Sequence, residues 1–408
     1  MVDILFGLDI GTTKVCALVG EVRDGQLRII GVGLESSQGM RKGMVTDVTQ
    51  ATEAIARAVE EAERTSGYDL SRALVSMAGE HISSTNNHGV VAIGRNSGGI
   101  APEDIERALD ATQAISIPHN RQIVHLLPRR FTVDMQEGVR NPVGMHGYRL
   151  EVEAHIVTAA TPSLMNLRQY ADQVGLTVEE FVLNVLASGE AVLEPTEREM
   201  GVMVADIGGG TSDVALYVDG MVWHTNVIPV GGNHITNDIA ILMRVPFEVA
   251  EKVKLQHGDC RPDQIDPESV FTLEPFGGER IRVGRQELAQ VIEARVDEIF
   301  HLILDDIRRS GYERLLPAGI VLTGGASQMR GIANIASRVM GVQARVAMPH
   351  GLVGLVERLQ SPAYATSVGL LQWAISGHNA YRPQPRQPDW GRRIKSIFGA
   401  LLPDREVR

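Results

Sequence analysis

The sequence has few of the features that mark secreted or membrane-spanning proteins. Its 408 residues include only two cysteines, Cys16 and Cys260, with no Cys-x-x-Cys pair or histidine cluster beside them. We therefore predict no disulfide framework and no zinc site, and interpret both thiols as reduced packing residues. No run approaches the ~20 apolar residues that cross a bilayer, and Asp3 and Asp9 interrupt the stretch where a signal peptide would be apolar. These absences predict a cytoplasmic protein, and its length suits two or more domains.

Two common nucleotide-binding motifs are also missing. There is no G-x-x-x-x-G-K-[ST], which excludes a P-loop, and no G-x-G-x-x-G followed by a suitably spaced ribose-binding acid.

The formal net charge is -11, but it is unevenly distributed: seven basic and three acidic residues from Ser376 onward give the tail +4, which leaves the body at -15. Such an acidic body argues against a nucleic-acid partner, whereas the tail suits an anionic surface.

One sequence motif occurs twice in the chain, as "FGLDIGTTKVCAL" and "MVADIGGGTSDVAL". In each copy an apolar strand ends at an aspartate, and a glycine-rich turn follows it. The two aspartates, Asp9 and Asp206, are 197 residues apart. Backbone N–H groups of such turns, with the hydroxyls of Thr12, Thr13 and Thr211, form a concave row of donors for phosphate oxygens. The two carboxylates suit a Mg²⁺ ion held through its water shell.

The elements around these turns can be predicted from local signals. Asp47 is the expected N-cap of an amphipathic helix that ends at Gly67, with an apolar face of Ile55, Ala58, Val59 and Ala62. A further helix is expected over 179–193, "EEFVLNVLASGEAVL". The composition becomes polar and glycine-containing from Ser83 to Gly99, and this change predicts the start of a subdomain inserted over 83–162.

The duplicated turns, followed by "TGGASQMRG" in the second half, resemble the actin, heat-shock chaperone and sugar kinase superfamily. This resemblance implies an α/β, actin-like, two-lobed ATPase fold that closes on ATP and Mg²⁺. The residues that it implies for nucleotide binding are Asp9, Gly11, Thr12, Thr13, Lys14, Asp206, Gly208, Gly209, Gly210, Thr211, Gly232, Asn233, Glu251, Lys254, Gly324, Gly325, Ala326 and Met329.

On the adenosine side, Glu251 and Lys254 are three residues apart and share a helix face. The resemblance makes them ribose contacts, and it makes Met329 an apolar neighbour of the adenine. An alternative interpretation of Glu251 and Lys254 is an exposed ion pair that contributes only a few tenths of a kcal/mol.

Several stretches narrow the resemblance to the FtsA family of actin-like bacterial division proteins: "LDIGTTKVCALVGEV", "SMAGEHIS", "GVRNPVGMHGYRLEVEAHIVT" and "REMGVMVADIGGGTSDVALY". It runs from about residue 4 to 375 and resumes in the terminal segment. The domains that it implies are 1A (1–82, with 163–195 and 361–375), the insertion 1C (83–162), 2A (196–230 and 299–360), 2B (231–298), a linker (376–389) and a membrane-targeting helix (390–402).

The FtsA resemblance implies a protein that binds ATP, polymerises with itself and anchors the FtsZ ring to the cytoplasmic face of the inner membrane, where later division proteins join. We expect at most slow ATPase activity, because Glu190 cannot be assigned convincingly as the residue that activates water. Other members of the superfamily remain as alternatives: another cytoskeletal or pilus-assembly ATPase, or a sugar kinase-type phosphotransferase, although neither explains the tail.

The resemblance also implies that subdomain 2B receives the C-terminal tail of FtsZ. We assign this contact to a cluster of arginines that an acidic and apolar peptide could meet: Arg280, Arg282, Arg285 and Arg295. The alternative is that they pair with Glu279, Glu287, Glu293 and Asp297 on a solvated surface.

The tail reads as an amphipathic helix behind the proline-rich "AYRPQPRQPD". One stripe is apolar: Trp390, Ile394, Ile397, Phe398, Leu401 and Leu402. Arg392, Arg393 and Lys395 flank it, which suits anionic lipids. Thirteen residues span about 20 Å, too short to cross a bilayer, so the helix is predicted to lie in the interface. A core or partner helix is the alternative.

Overall fold

A computed structural model describes residues 3–23, 25–41, 43–94, 98–114 and 117–376. The predicted membrane segment 390–402 and linker residues 377–389 lie outside these ranges. Two lobes, each built on a mixed sheet, and a smaller inserted subdomain make up the described chain, which confirms the α/β two-lobed fold.

The strands of the described residues are β1 (Asp3–Ile10), β2 (Lys14–Arg23), β3 (Gln26–Ser36), β4 (Met40–Arg41), β5 (Met44–Val45), β6 (Arg72–Met77), β7 (Ile82–Ala92), β8 (Arg121–Val133), β9 (Gln136–Val139), β10 (Arg149–Ala160), β11 (Thr177–Leu183), β12 (Val202–Ile207), β13 (Ser212–Val218), β14 (Met221–Ile228), β15 (Val270–Leu273), β16 (Ile281–Gly284), β17 (Ile320–Thr323), β18 (Ala344–Val346) and β19 (Val353–Gly354).

The α-helices of the described residues are α1 (Val48–Ser66), α2 (Pro102–Thr112), α3 (Thr161–Gln173), α4 (Asn184–Val192), α5 (Pro195–Met200), α6 (Gly232–Met243), α7 (Phe247–His257), α8 (Arg285–Ser310), α9 (Ile332–Met340) and α10 (Ala365–Ile375). Short 3₁₀ turns occupy Pro262–Gln264, Gly325–Gln328 and Pro362–Tyr364.

The two lobes repeat one topology, as the duplicated turns predict. In the first, β1 pairs antiparallel with β2 and parallel with β6, within the order β11-β6-β1-β2-β3-β19. In the second, β12 pairs antiparallel with β13 and parallel with β17, within the order β14-β13-β12-β17-β18. Each glycine-rich turn therefore closes the hairpin at the centre of its sheet.

Helices α4 and α10 lie between the two sheets and form the centre of the molecule. One buried cluster joins apolar side chains of both helices, including Leu186 and Leu370, to Leu18 of the first sheet and Val204 of the second. The two helices cross closely: a Cβ on Gly369 would lie 1.8 Å from the carbonyl oxygen of Ala187. Only glycine at that position permits the contact.

Helix α1 forms as its sequence predicts. Asp47 accepts a hydrogen bond from the backbone N–H of Gln50, and Gly67 ends the helix with a φ of 76°. The buried face includes Ile55, Ala58, Val59 and Ala62. Cys16 and Cys260 are buried and free, as expected, and burial raises the pKa of each thiol to about 12.

The predicted helix over 179–193 is wrong in its first part. Residues Thr177–Leu183 form β11, which pairs parallel with β6 at the edge of the first sheet, and α4 begins only at Asn184. Buried Val178 lies between exposed Thr177 and Glu179, which is the two-residue period of a strand. An available sheet edge therefore overrides the helical propensity of the two glutamates.

The inserted subdomain is a four-stranded antiparallel sheet in the order β7-β10-β8-β9, with α2 packed on one face. It contacts the second lobe as well as the first. At this contact the guanidinium of Arg129 lies 4.6 Å from the ring centroid of Trp223, donates to the hydroxyl of Tyr312 at 3.0 Å and pairs with Glu153 at 2.5 Å. The insertion thus bridges both lobes.

A buried histidine completes this bridge. The ring nitrogens of His155 lie 2.7 Å from Asn86 Oδ1 and 2.8 Å from Thr225 Oγ1, so the imidazole links the insertion to β14. Burial, reinforced by the nearby His224, lowers the pKa of His155 to about 3. The ring is therefore neutral at physiological pH.

Candidate nucleotide site

The two glycine-rich turns have the same backbone geometry. The N–H of Gly11 donates to the carbonyl of Lys14, and the N–H of Gly208 donates to the carbonyl of Thr211, each at 2.9 Å. The hydroxyl of Thr12 accepts from the N–H of Gly43 at 3.1 Å, while Thr13 is exposed at its turn. Both hairpins thus present equivalent loops, one from each lobe.

These turns lie against each other and against the start of α6. A Cβ on Gly209 would lie 2.4 Å from Cγ2 of Thr13, in the turn of the other lobe. The N–H groups of Gly232 and Asn233 donate to the carbonyls of Gly208 and Gly209 at 2.9 and 2.8 Å. The predicted phosphate residues of both lobes therefore meet at one place.

Two carboxylates lie beneath the turns, and consecutive residues at the start of α10 hold them. The hydroxyl of Ser367 donates to Asp9 Oδ2 at 2.7 Å, and that of Thr366 donates to Asp206 Oδ2 at 2.8 Å. Ser76 donates to the other oxygen of Asp9 at 2.8 Å. Asp9 is 3% exposed and Asp206 is 6% exposed, so one helix fixes two buried acids from different lobes.

The pair carries excess negative charge. Burial raises the pKa of Asp206, and the neighbouring Asp9 raises it further. Lys14 partly balances them: its Nζ lies 3.5 Å from Asp9 Oδ2. Burial alone would lower the pKa of Lys14, but Asp9 and Asp206 hold that pKa above its ordinary value. An additional cation is the natural complement of this arrangement.

Asp213 is a third buried acid that the sequence reasoning did not assign. It lies directly opposite Asp206 in the β12–β13 hairpin, where the first lobe has Cys16 opposite Asp9. Its Oδ2 accepts from Thr211 Oγ1 at 3.0 Å, but its Oδ1 has no partner among the described residues. Burial, with the charge of Asp206, raises the pKa of Asp213 well above its ordinary value.

These residues fit a hydrated Mg²⁺ better than a directly bound one. No group of three acidic, histidine or cysteine side chains within the described ranges is arranged to enclose a metal ion. Mg²⁺ keeps several waters and is usually held by one or two carboxylates and the phosphates of its nucleotide. The unpaired oxygen of Asp213 and the charged pair offer acceptors for such waters.

The predicted adenosine residues also lie beside the turns. Nζ of Lys254 is buried and donates to the carbonyl of Gly232 at 3.1 Å and to Thr236 Oγ1 at 2.8 Å. It pairs with Glu251 at 2.7 Å. Because Lys254 is only 9% exposed, this is a partly buried polar cluster and not the exposed pair that the alternative interpretation describes.

The "TGGASQM" loop closes the site from the other side. Gly324, at a φ of +84°, packs on the carboxylate of Asp206, where a Cβ would lie 2.3 Å from Oδ1. The next residues approach α6 and α7: Ala326 Cβ would be 3.2 Å from a Cβ on Gly232, and Met329 lies against Gly258 at the end of α7. This loop therefore touches both the acid pair and the predicted adenosine side.

Other assigned residues lie apart from this site. Arg295 is paired with Asp238 at 2.6 Å and also with Glu298, and Arg280 is paired with Glu274. Arg282 lies on β16, and Arg285 is the first residue of α8. The observed partners differ from the acids that the alternative interpretation named, and the predicted membrane residues lie outside the described ranges.

Glu190 does not face the turns. Its carboxylate accepts from Arg198 at 2.6 Å and from Ser376 at 3.2 Å, at the end of α10 far from Thr366. Ser188 of the same helix hydrogen-bonds Asp206, and residues two apart lie on different faces of a helix, so the Glu190 carboxylate is directed away from the acid pair.

Comparisons with known families and proteins match most of this chain. Residues 203–369 match the family "Cell division protein FtsA", and residues 79–158 match "SHS2 domain inserted in FTSA". The chain is 41% identical to the FtsA of Pseudomonas aeruginosa over 94% of its length and 95% of that protein. It is 38% identical to the FtsA of Escherichia coli K12 (92% and 91%) and 37% identical to that of Bacillus subtilis (91% and 83%).

Solved structures show the same fold at low identity. A chain of the "PilM-PilN type IV pilus biogenesis complex" aligns with a TM-score of 0.67 at 16% identity, covering 91% of this chain and 98% of that one. MreB5 of Spiroplasma citri bound to ADP gives 0.54 at 13% identity (92% and 98%), and the MamK double helical filament gives 0.52 at 14% (91% and 98%). None of the helices in the described ranges combines the length and apolarity needed to span a bilayer.

Proposed function

Because this chain belongs to the FtsA family of cell division proteins, we propose that it binds Mg–ATP between its lobes, polymerises, and anchors the FtsZ ring at the inner membrane through residues 390–402. The family and the actin-like fold define a cell division protein. The nucleotide, the filament, the membrane and the FtsZ tail are the proposed refinements.

The observation that carries the nucleotide proposal is the acid pair under two equivalent turns. Asp9 and Asp206 are buried, come from different lobes and are held by adjacent residues of α10. A bound Mg²⁺ would supply the positive charge that neutralises these acids and the nucleotide phosphates. The N–H groups of the turns around Gly11 and Gly209 would then bind phosphate oxygens from both lobes.

The remaining site residues would orient the nucleoside. Lys254 and Glu251 present a hydrogen-bonded pair beside Gly232, which suits the hydroxyls of a ribose. Met329 provides an apolar surface near the end of α7 for the adenine. Because Glu190 is bound to Arg198 away from the turns, we assign it no role in activating water and propose slow hydrolysis at most.

Filament formation would link nucleotide binding to the membrane. The MamK structure that shares this fold is a double helical filament, which supports longitudinal assembly of this fold. A single short interfacial helix binds membranes reversibly, whereas many helices in one filament gain avidity of roughly 10² to 10⁴. The proposal also places the FtsZ tail, and through it the division ring, on the arginines of 231–298.

Flotation with liposomes tests this function. The full chain should float with vesicles that contain anionic lipids, and more strongly in Mg–ATP than in Mg–ADP if ATP favours filaments. A chain that ends at Ser376 should remain at the bottom of the gradient in both nucleotides while keeping calorimetric binding of Mg–ATP. Equal flotation of the two chains would refute the membrane role, and absent Mg–ATP binding would refute the nucleotide role.

A further inference from the structure

A large groove opens on the first lobe, away from the nucleotide turns. It encloses about 1650 Å³ between the start of β1, the β6–β11 edge of the sheet and the inserted subdomain. Ile4 and Phe6 line it, whereas Asp9 of the same strand binds α10. At about 3.3 Å per residue, the groove and the acid pair are therefore roughly 10–17 Å apart along β1.

Its walls combine apolar surface with acidic groups. Leu70, Ile105 and Val143 are among the partly or fully exposed apolar side chains in it, and Val143 is 44% exposed. The lining contains five carboxylates, those of Asp69, Glu106, Asp110, Glu179 and Glu180. Among the described residues two arginines line it, and one of them, Arg140, pairs with Glu199 at 2.6 Å. The groove is thus negatively charged and suits a basic, apolar ligand.

The end of the described chain forms part of the same groove. Trp373 and Ala374, in the last turn of α10, line it, and the indole N–H of Trp373 donates to Glu180 at 3.2 Å. The sequence that follows Ser376 consists of the proline-rich linker and then the basic, apolar segment 390–402. The chain therefore leaves the body at the edge of a groove that has the opposite charge to its own tail.

We propose that this groove binds residues 390–402 of the same chain and keeps them from the membrane. The inference rests on the proposed membrane role of that segment. Arg392, Arg393 and Lys395 would meet the carboxylates, while the apolar stripe from Trp390 to Leu402 would cover Leu70, Ile105 and Val143. A helix of 13 residues is about 20 Å long and ~10 Å wide, and a groove of this volume is large enough to receive it.

The linker makes this contact geometrically easy. Residues 376–389 reach at most about 43 Å when extended as polyproline II, and the groove begins at Ala374, so a fold-back needs only part of that length. A tether of this kind gives an effective concentration in the millimolar range, so even weak docking would be populated.

Docking in the groove and insertion into lipid use the same apolar stripe, so they exclude each other. The groove therefore lowers the apparent membrane affinity of a single subunit by the fraction of time that the tail is docked. A filament on the membrane overcomes this competition because its tails act together. The device would keep isolated subunits off the membrane until they assemble.

Hydrogen exchange tests whether the groove is occupied. At concentrations where the protein is monomeric, segments 68–74 and 102–110 should exchange at least threefold more slowly in the full chain than in a chain that ends at Ser376. Anionic vesicles should return the exchange of the full chain to the rate of the truncated chain. Equal exchange in the two chains without vesicles would overturn the proposal, and protection that grows with protein concentration would assign the groove to the tail of another copy and also overturn it.

A charge reversal separates this proposal from the membrane role. Glu106→Arg with Glu179→Arg should abolish the protection and strengthen vesicle binding several-fold. The control, Glu60→Arg with Glu103→Arg, makes the same charge change at exposed glutamates outside the groove and should leave the protection in place. Vesicle affinity of the groove variant equal to that of the control would overturn the proposal. If no variant binds vesicles, the membrane role fails, while persistent protection in the wild type would still support docking.

Discussion

Thr366 and Asp206 are joined by a hydrogen bond of 2.8 Å although 160 residues separate them in the chain. The next residue of α10, Ser367, makes the equivalent bond to Asp9 of the other lobe at 2.7 Å. Two neighbouring hydroxyls on one helix therefore determine how the two acids are spaced.

Replacing Asp206 by Ala should weaken Mg–ATP binding at least tenfold, about 1.4 kcal/mol, because the metal and phosphate charge lose one of two buried acids. Titration calorimetry measures the change. Thr366→Val is the matched comparison, since it removes only the hydrogen bond to Asp206 and should cost less affinity. Unchanged Mg–ATP affinity in Asp206→Ala would remove this residue from the site.

Asp213→Asn should stabilise the nucleotide-free protein. The pKa of Asp213 is raised above its unfolded value, so the folded state loses stability as pH rises from about 4 through that raised pKa. The amide removes this loss, and the melting temperature at pH 7.5 should rise by about 2 °C or more while Mg–ATP affinity falls. Asp219→Asn, at an exposed position in the turn between β13 and β14, should change neither. A lower melting temperature in Asp213→Asn would contradict the assignment.

Trp390→Glu with Phe398→Glu should abolish flotation with anionic vesicles, because two charges interrupt the apolar stripe. The melting temperature of the body should stay the same. Gln384→Glu with Gln387→Glu places two equal charges in the linker and should leave most of the flotation intact. Flotation of the stripe variant at the wild-type level would rule out the interfacial helix.

Arg295→Glu should reduce the affinity for an FtsZ-tail peptide several-fold in fluorescence anisotropy. Charge reversal at a docking arginine replaces attraction by repulsion, although here it also breaks the pair with Asp238. Arg338→Glu breaks comparable pairs with Glu293 and Asp297 and controls for that loss. Equal binding by the two variants would exclude Arg295 from the peptide site.

The contact between the insertion and the second lobe should weaken in acid. The pKa of His155 is about 3 in the folded protein and about 6.5 when unfolded, so the unfolded state alone gains this proton as pH falls below 6.5. The free energy of unfolding should then drop by about 1.4 kcal/mol per pH unit from this residue. Urea titrations of His155→Gln should show that much less dependence on pH, whereas exposed His301→Gln should follow the wild type. Parallel curves for His155→Gln and wild type would contradict the assignment.

The parts of the site that come from local sequence could be predicted. An aspartate, a glycine turn and a second strand are contiguous in each copy, so both hairpins and the caps of α1 at Asp47 and Gly67 were recognisable. Thr366 and Ser367 were not, because their partners lie 160 and 358 residues away and nothing near them signals the contact. Asp213 could have been found by counting across the β12–β13 turn, since a hairpin closed between Gly208 and Thr211 pairs it with Asp206.

The wrong prediction at 179–193 has a similar cause. Glu179 and Glu180 favour a helix locally, but the free edge of β6 is formed by residues about a hundred positions earlier, and its hydrogen bonds decide the conformation. Tertiary pairing of this kind leaves only the weak alternation around Val178 as a sequence signal.

Helix α10 is held by contacts at both of its ends and in its middle, so it can move only as a rigid body. Its first turn is hydrogen-bonded to the acids of both lobes, and Trp373 in its last turn lines the groove. Between these ends Gly369 packs directly against the backbone of Ala187. A rigid helix packed in this way transmits a displacement at one end to its other end. A shift of one lobe against the other during nucleotide exchange would therefore tilt α10 and move the point from which the tail leaves the body.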